Sequence, residues 1–264
     1  MFFTDYEKEI SNEYLKNGYI IRPADDMNAL HEIKREFIST ISDILGDRSL
    51  ADPENLLNNI HTHISPSELN SFRMEIIQSI NSRKDFRELY FKTVRNYLEL
   101  LVGNELVMQN RVNLSIQLPG DDSSLLPVHA DTWSGDSPFE AVAWIPLVDC
   151  FKTKSMYILA PDKLKKIEQF FLKKENKSSS SLYQKIKGDV TWLDVKFGEV
   201  LIFNQSLPHG NIINVESETR WTMNCRFKSI YTPYGDKKIG EFFEPITLRA
   251  ASKAGMTSHL LKNQ

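Results

Sequence analysis

Cysteine is nearly absent: the chain has two, Cys150 and Cys225, in 264 residues. That is too few for a disulfide framework, and each falls inside a strand-like run, so a reduced, cytoplasmic setting is the simplest expectation. Long apolar runs are missing too. Runs such as "LELLVG" and "GEVLIF" fall well short of the roughly 20 residues that a membrane-spanning helix needs. The opening "MFFTDYEKEISNEY" turns acidic within a few residues and lacks a cleavable signal pattern. Neither sign of charge dominates. A net charge of −3 and a pI of about 6.1 argue against nucleic acid or an anionic membrane as partner. No repeat period is present. What remains is an ordinary globular composition, 41% apolar and 25% charged, in a chain long enough to bury a sizeable core.

The first hundred residues read mostly as helix. "PADDMNALHEIKREFISTISDIL" carries Leu30, Ile33, Phe37, Ile41 and Ile44 at spacings of three or four, one apolar face. "SPSE" announces a second helix, with Ser65 as N-cap, Pro66 in the first helical position and Glu68 closing a capping box. A third is expected from about Lys84 to Leu101, with Ser82 before it and Gly103 as its stop. Beyond Glu105 the pattern changes to short strand-like runs parted by Gly, Pro, Asp and Ser, among them "ELVMQNRVNLSIQLP", "EAVAWIPLVDC", "GEVLIFNQ" and "ETRWTMNCRFKSIYTPY". "PDKLKKIEQFFLKKENKSSSSLYQKIKG" interrupts them as a helix followed by a flexible serine tract, an insertion in a loop. The expected architecture is mainly β, a jelly-roll sandwich or barrel with helices packed outside. In this reading a single domain holds a helical region at 1–104, a β core at 105–232 with an insertion at about 161–188, and an extension at 233–264.

"VHADTW" (128–133) stands between two of these strands. Residues two apart on a strand share a face, so His129 and Asp131 can present a nitrogen and a carboxylate oxygen to one point. A third ligand must come from another strand, and His209, just after "GEVLIFNQ", is the candidate. Two histidines and a carboxylate on one side of a metal leave the other side open, the arrangement of non-haem Fe(II) oxygenases, although zinc accepts the same ligands. Eleven residues on, Arg220, Thr222, Asn224 and Arg226 alternate along one polar strand face, with Trp221, Met223, Cys225 and Phe227 on the other. Arginine inside a β core needs an anion. Internal pairing with Asp or Glu and ligand binding are equally open for Arg226. For Arg220 a bound dicarboxylate is the better expectation, because its planar fork matches a carboxylate at two points.

The order His129-Ala-Asp131, "WIPL" from Trp144, "GEVLIF" from Gly198, "HGNIIN" from His209 and then Arg220 resembles the Fe(II)/2-oxoglutarate dioxygenases of the phytanoyl-CoA dioxygenase-like superfamily. More narrowly, "NLSIQLPGDDSSLLPVHADTWSGDSPFEAVAWIPLVDC" followed by "TKSMYIL" is similar to the StrG-type oxygenases of carbohydrate and streptomycin biosynthesis clusters. The resemblance spans roughly residues 105 to 232 and implies a double-stranded β-helix (jelly roll, cupin-like). It implies Fe(II) on His129, Asp131 and His209, 2-oxoglutarate with its far carboxylate on Arg220, and O2, with release of succinate and CO2. Thr222 and Gln117 are then candidate partners of the cosubstrate, Trp144 a candidate pocket wall, and Asn214 falls where the superfamily has an asparagine. "TKSMYILAPDKLKK" departs from the superfamily pattern at the substrate side, so an acyl-CoA substrate is not implied. The presence of Asp131 argues against the related halogenases.

Trp133, Asn113, Glu140 and Arg226 are candidate substrate contacts, with Asp136 and Arg111 as lesser ones. Their chemistry suits a small hydrophilic molecule, sugar-like or aminocyclitol-like, better than a lipid. Each of them also reads as a loop or core residue. His61 and His63 form a second metal-like pair but read as surface or substrate-edge residues, and His31 and His259 read as solvated. The expected function is a 2-oxoglutarate-dependent hydroxylase. The rival readings are a zinc-dependent jelly-roll enzyme, which leaves Arg220 without a role, and a non-catalytic carbohydrate-binding protein, which has no use for three intact ligands.

Overall fold

The computed structural model describes residues 2–46, 55–165, 167 and 178–258. Its β-rich runs form two antiparallel sheets. The larger runs β1 (Tyr19–Pro23), β7 (Glu199–Asn204), β4 (Ala141–Pro146), β9 (Arg220–Ser229), β2 (Leu106–Gln109) and β10 (Phe243–Pro245), with β3 (Asn113–Gln117) also paired to β9. The smaller sheet is β6 (Val190–Trp192), β5 (Tyr157–Leu159) and β8 (His209–Gly210).

β9 organises the larger sheet. One of its edges meets β4 and the other meets β2 and then β3. The single strand expected across this stretch is therefore broken at Asn110–Val112. There the Asn81 side chain accepts from Val112 N at 2.9 Å and donates to Val112 O at 3.1 Å, satisfying the backbone that leaves the ladder. The odd residues of β9, Trp221, Met223, Cys225 and Phe227, are completely buried beneath the helices. Trp221 meets Phe72 edge-on at 6.2 Å and donates its indole N–H to Leu57 O at 2.7 Å. The even residues face the other way, which is where the site lies.

The helices differ from the sequence reading at their ends. α1 (Asp5–Asn17) has a complete capping box between Thr4 and Glu7 and leads into β1, an edge strand that the reading did not anticipate. α2 (Met27–Leu45) starts from Asp26 and buries the expected face: Leu30, Ile33, Phe37 and Ile41. After the short α3 (Leu56–Asn59), α4 (Leu69–Ser82) has Glu68 in the N-cap position, three residues later than the expected Ser65 cap. The Ser65 hydroxyl donates to the Glu68 carboxylate at 2.7 Å instead of accepting from the Glu68 N–H, so half of the box forms in the turn ahead of the helix. The expected helix over 84–101 is two, α5 (Phe86–Lys92) and α6 (Arg95–Leu101). They part at Thr93, whose hydroxyl bonds back to Tyr90 O and whose carbonyl accepts from Asp25 N, and Ser82 closes α4 instead of opening a helix.

The serines of the insertion are structured where they are described. Ser178 caps α7 (Ser179–Ile186), which lays Leu182 and Ile186 against Tyr157 and Leu159 of the smaller sheet. The helix read over "KLKKIEQFFLKKENK" lies largely outside the described residues, as does His259. In the C-terminal region β10 extends the larger sheet beside β2, burying Phe243, and α8 (Ala250–Met256) follows. Cys225 lies on β9, whereas Cys150 forms an isolated bridge with Val195. Burial pushes both thiols up to about 12. Among the described residues no helix is long and apolar enough to cross a membrane.

Candidate metal centre

Among the described residues, His129, Asp131 and His209 form the group able to hold a metal ion, with one ligand atom from each within 4.8 Å of the others. Strand alternation does not bring them together, contrary to the sequence reading. Asp131 opens a 3-10 turn (Asp131–Ser134), and His129 sits in an isolated bridge with His209. Three main-chain bonds fix the convergence: His129 N to His209 O at 3.0 Å, His209 N to His129 O at 2.8 Å, and Asp131 N to Gln205 O at 3.0 Å. Gly210 permits the close approach beside the ligand, since a Cβ there would lie 2.7 Å from both Leu126 O and the Tyr157 hydroxyl.

The tautomers follow from the carbonyls. His129 Nδ1 lies 2.8 Å from Pro127 O, and His209 Nδ1 lies 2.8 Å from Leu207 O. A carbonyl only accepts, so both Nδ1 atoms carry a proton and each ring turns its Nε2 to the centre, where His129 Nε2 stands 3.4 Å from Asp131 Oδ1. Burial, reinforced by the neighbouring His129, pulls His209 down to about 4 and keeps it neutral. Burial acts the same way on His129, but its bonds to Asp131 and Pro127 outweigh it and leave that ring raised. Burial raises the Asp131 carboxyl, yet the His129 bond and the Arg226 charge overcome it and hold the group well below the usual carboxylate range.

Arg226 is the partner that the sequence left open. Its Nη2 donates to Asp131 Oδ2 at 2.8 Å and its Nε to Gln205 Oε1 at 2.9 Å. Asp136 and Glu140 stand at 3.6 and 4.0 Å from the same guanidinium. Internal pairing therefore accounts for Arg226, and the carboxylate beside the metal point is held by its outer oxygen. Glu140, a candidate substrate contact, is buried behind this network, bonded to Gln205 Nε2 at 2.7 Å and Ser137 N at 3.2 Å, and does not line the cavity. Asp136 is likewise buried, with its carboxylate accepting from Lys237 Nζ at 2.8 Å.

The triad opens into a cavity of about 380 Å³ bounded by both sheets, within the usual range for a small-molecule site. Asn113, Trp144, Arg220 and Arg226 line it. Arg220 is fully buried, and burial lowers it to about 10. Its Nη1 donates to Ser155 O at 3.0 Å and its Nη2 to Ser115 Oγ at 2.9 Å, while its Nε is buried without a partner. Ser155 Oγ, Thr222 Oγ1 and Gln117 Oε1 are also buried and unpartnered. They are neighbours: Gln117 lies opposite Arg220, and Ser115 opposite Thr222, in the β3–β9 ladder. A buried polar atom left unbonded costs about 1–3 kcal/mol, so four around one arginine mark the place of a polar ligand. Thr222 and Gln117 sit behind the cavity wall, wholly buried, with Gln117 Nε2 donating to Ile212 O at 2.6 Å.

The other candidates separate. Trp133 is 46% exposed on the turn beside Asp131 and does not line the cavity. Asn214 has a backbone role, donating to Glu218 O and accepting from Glu216 N. His61 bonds Thr219 Oγ1 at 3.0 Å, away from any metal cluster. Sequence reasoning missed Asn211, which accepts from Leu126 N at 2.6 Å and ties the 124–126 loop over β8. It also missed Arg73, which reaches the cavity from α4.

This is the fold of the non-haem iron, 2-oxoglutarate-dependent oxygenases. Among solved structures the chain is similar to the non-heme alpha-ketoglutarate-dependent carbocyclase SnoK from nogalamycin biosynthesis, with TM-score 0.55, 15% identity, and 91% of this chain and 96% of that one covered. It is similar also to the apo non-heme monooxygenase ThoJ, with TM-score 0.54, 12% identity and 97% and 96% covered. HygX from Streptomyces hygroscopicus, solved with nickel and 2-oxoglutarate bound, matches with TM-score 0.53, 13% identity and 88% and 89% covered. No protein-family model and no curated protein sequence matches the chain.

Proposed function

We propose that the protein is an Fe(II)- and 2-oxoglutarate-dependent oxygenase that hydroxylates a small hydrophilic, sugar-like or aminocyclitol-like molecule, in the manner of the StrG-type enzymes. One observation carries the reading: a His-Asp-His cluster opens on a cavity that is also lined by Arg220, a buried arginine with no carboxylate partner among the described residues and an unpartnered Nε. We read the two antiparallel sheets as a double-stranded β-helix, the first 104 residues as its helical cover, and the whole as one catalytic unit.

His129, Asp131 and His209 would hold the iron, and Arg220 would take the distal carboxylate of 2-oxoglutarate with Thr222 and Gln117 behind it. When bound, iron and cosubstrate would supply O2 activation coupled to oxidative decarboxylation of 2-oxoglutarate to succinate and CO2. The protein's own part is positional. The carbonyls of Pro127 and Leu207 fix the imidazole tautomers, Arg226 fixes the Asp131 carboxylate, and Trp144 walls the pocket against water. Trp133, exposed on the turn beside Asp131, would stack on a ring outside the cavity, and Asn113, which lines it, would meet hydroxyls inside.

The test is succinate formation from 2-oxoglutarate by the purified protein under air. The expected result is slow turnover that requires added Fe(II) and disappears in Asp131→Ala. Turnover unaffected by Asp131→Ala, or absent from protein shown to bind both iron and 2-oxoglutarate, would refute the reading.

A further inference from the structure

The apolar stripe of α4 contains one residue of the wrong kind. Leu69, Phe72, Ile76 and Ile80 are buried on the face that packs inward, and the half-buried Arg73 lies beside them at helical spacing, four after Leu69 and three before Ile76. A core helix would place an aliphatic side chain there. Instead Arg73 is among the residues lining the cavity that holds the triad.

The arginines lining that cavity differ in what meets them. Arg226 is paired with Asp131. Arg220 bonds Ser155 and Ser115 and is the residue assigned above to the cosubstrate. Among the described residues Arg73 bonds one neutral partner, the exposed Asn70 Oδ1 at 2.9 Å, its Nε is buried without a hydrogen bond, and no carboxylate lies within ion-pair distance of it. A partly buried guanidinium with an unpaired N–H is costly unless an anion completes it, and its fork fits a carboxylate or a phosphate. The cosubstrate's two carboxylates are accounted for at the metal and at Arg220.

We propose that Arg73 is the specificity residue of the substrate subsite, and that the substrate carries an anionic group, a carboxylate or a phosphate, which Arg73 grips while the oxidised part faces His129 and Asp131. This rests on the oxygenase reading and narrows its substrate class from hydrophilic to anionic. Ser124 and Asn224 line the same cavity and supply neutral polar contacts for the remainder of such a molecule.

The test is calorimetric titration of protein loaded with nickel and 2-oxoglutarate, using inorganic phosphate, glucose 6-phosphate, glucuronate and uncharged glucose, on the wild type, Arg73→Met and Arg73→Lys. At least one anion is expected to bind ten times or more tighter than glucose to the wild type. That preference should vanish in Arg73→Met and survive in part in Arg73→Lys, with 2-oxoglutarate affinity unchanged in both. The phosphate and carboxylate probes say which anion is taken. Anions binding within threefold of glucose, or equally well to Arg73→Met, would overturn the assignment while leaving the oxygenase reading intact. A wild-type protein that binds neither nickel nor 2-oxoglutarate would overturn both.

Discussion

Replacing Arg226 with Met should expose how the ligand carboxylate is held. The substitution roughly keeps the aliphatic stem and removes the charge that meets Asp131 at 2.8 Å, with Asp136 and Glu140 next to it at 3.6 and 4.0 Å. Breaking a buried pair by deleting one partner typically costs about 3–5 kcal/mol. The Arg226 and Asp131 side chains keep 16% and 11% exposure, which moves the expectation to the lower end, about 3 kcal/mol. At about 2–4 °C per kcal/mol for a chain of this size, the metal-free protein should melt roughly 6–12 °C lower. A divalent ion on Asp131 supplies the missing positive charge, so saturating nickel should recover about half of the loss; equivalently, the variant should bind nickel more tightly than the wild type. Paired thermal melts with and without nickel measure both. A metal-free loss under ~1 kcal/mol, or a loss of the same size with nickel as without, would refute the idea that Arg226 exists to compensate the ligand carboxylate.

Three other outcomes follow from the same geometry. At pH 6, His129 with its raised pKa is charged while His209, held at about 4, is neutral, so nickel binding should release about one proton, read by calorimetry in buffers of different ionisation enthalpy; two protons would contradict the assignment. Arg220→Ala should weaken 2-oxoglutarate about 10–100-fold, as expected for loss of a charged hydrogen-bonding partner, and Arg220→Lys should not restore it because the bonds to Ser155 and Ser115 need the fork. Gly210→Ala places a methyl 2.7 Å from Leu126 O and the Tyr157 hydroxyl, so it should destabilise the fold by about 1–3 kcal/mol in denaturant melts, and a neutral result would mean that the 124–126 loop yields freely.

The sequence was most informative where chemistry and periodicity coincide. The alternation along β9 was legible because four polar residues alternate with four apolar ones, and α2 because its apolar spacing is unbroken. The residue types of the triad were also legible, but the reason for their convergence was not: main-chain bonds between 129, 131, 205 and 209 join segments far apart in the chain. Helix ends failed where tertiary partners compete with local signals, as at Ser65 and Glu68, which bond each other ahead of α4, and at Thr93, whose carbonyl serves Asp25. The broken strand at 110–112 depends on Asn81, a residue on a helix, which no local pattern in the strand announces. Glu140 read as a candidate substrate contact because its carboxylate could accept hydrogen bonds from a hydrophilic molecule; instead it is buried, where Gln205, Ser137 and the nearby Arg226 satisfy it. Arg73 carried a usable signal, a charge at a stripe position of α4, that only the cavity made meaningful.

The central claim is that these three ligands and Arg220 together hold Fe(II) and 2-oxoglutarate. Anaerobic titration of the metal-free protein with Fe(II) and then 2-oxoglutarate, followed by visible absorption, tests it most directly. The account expects a metal-to-ligand charge-transfer band that appears only when both are present, is lost in His209→Ala, and needs more 2-oxoglutarate in Arg220→Ala. A wild-type protein that binds Fe(II) and 2-oxoglutarate yet shows no band, or a band that persists in His209→Ala, would contradict it.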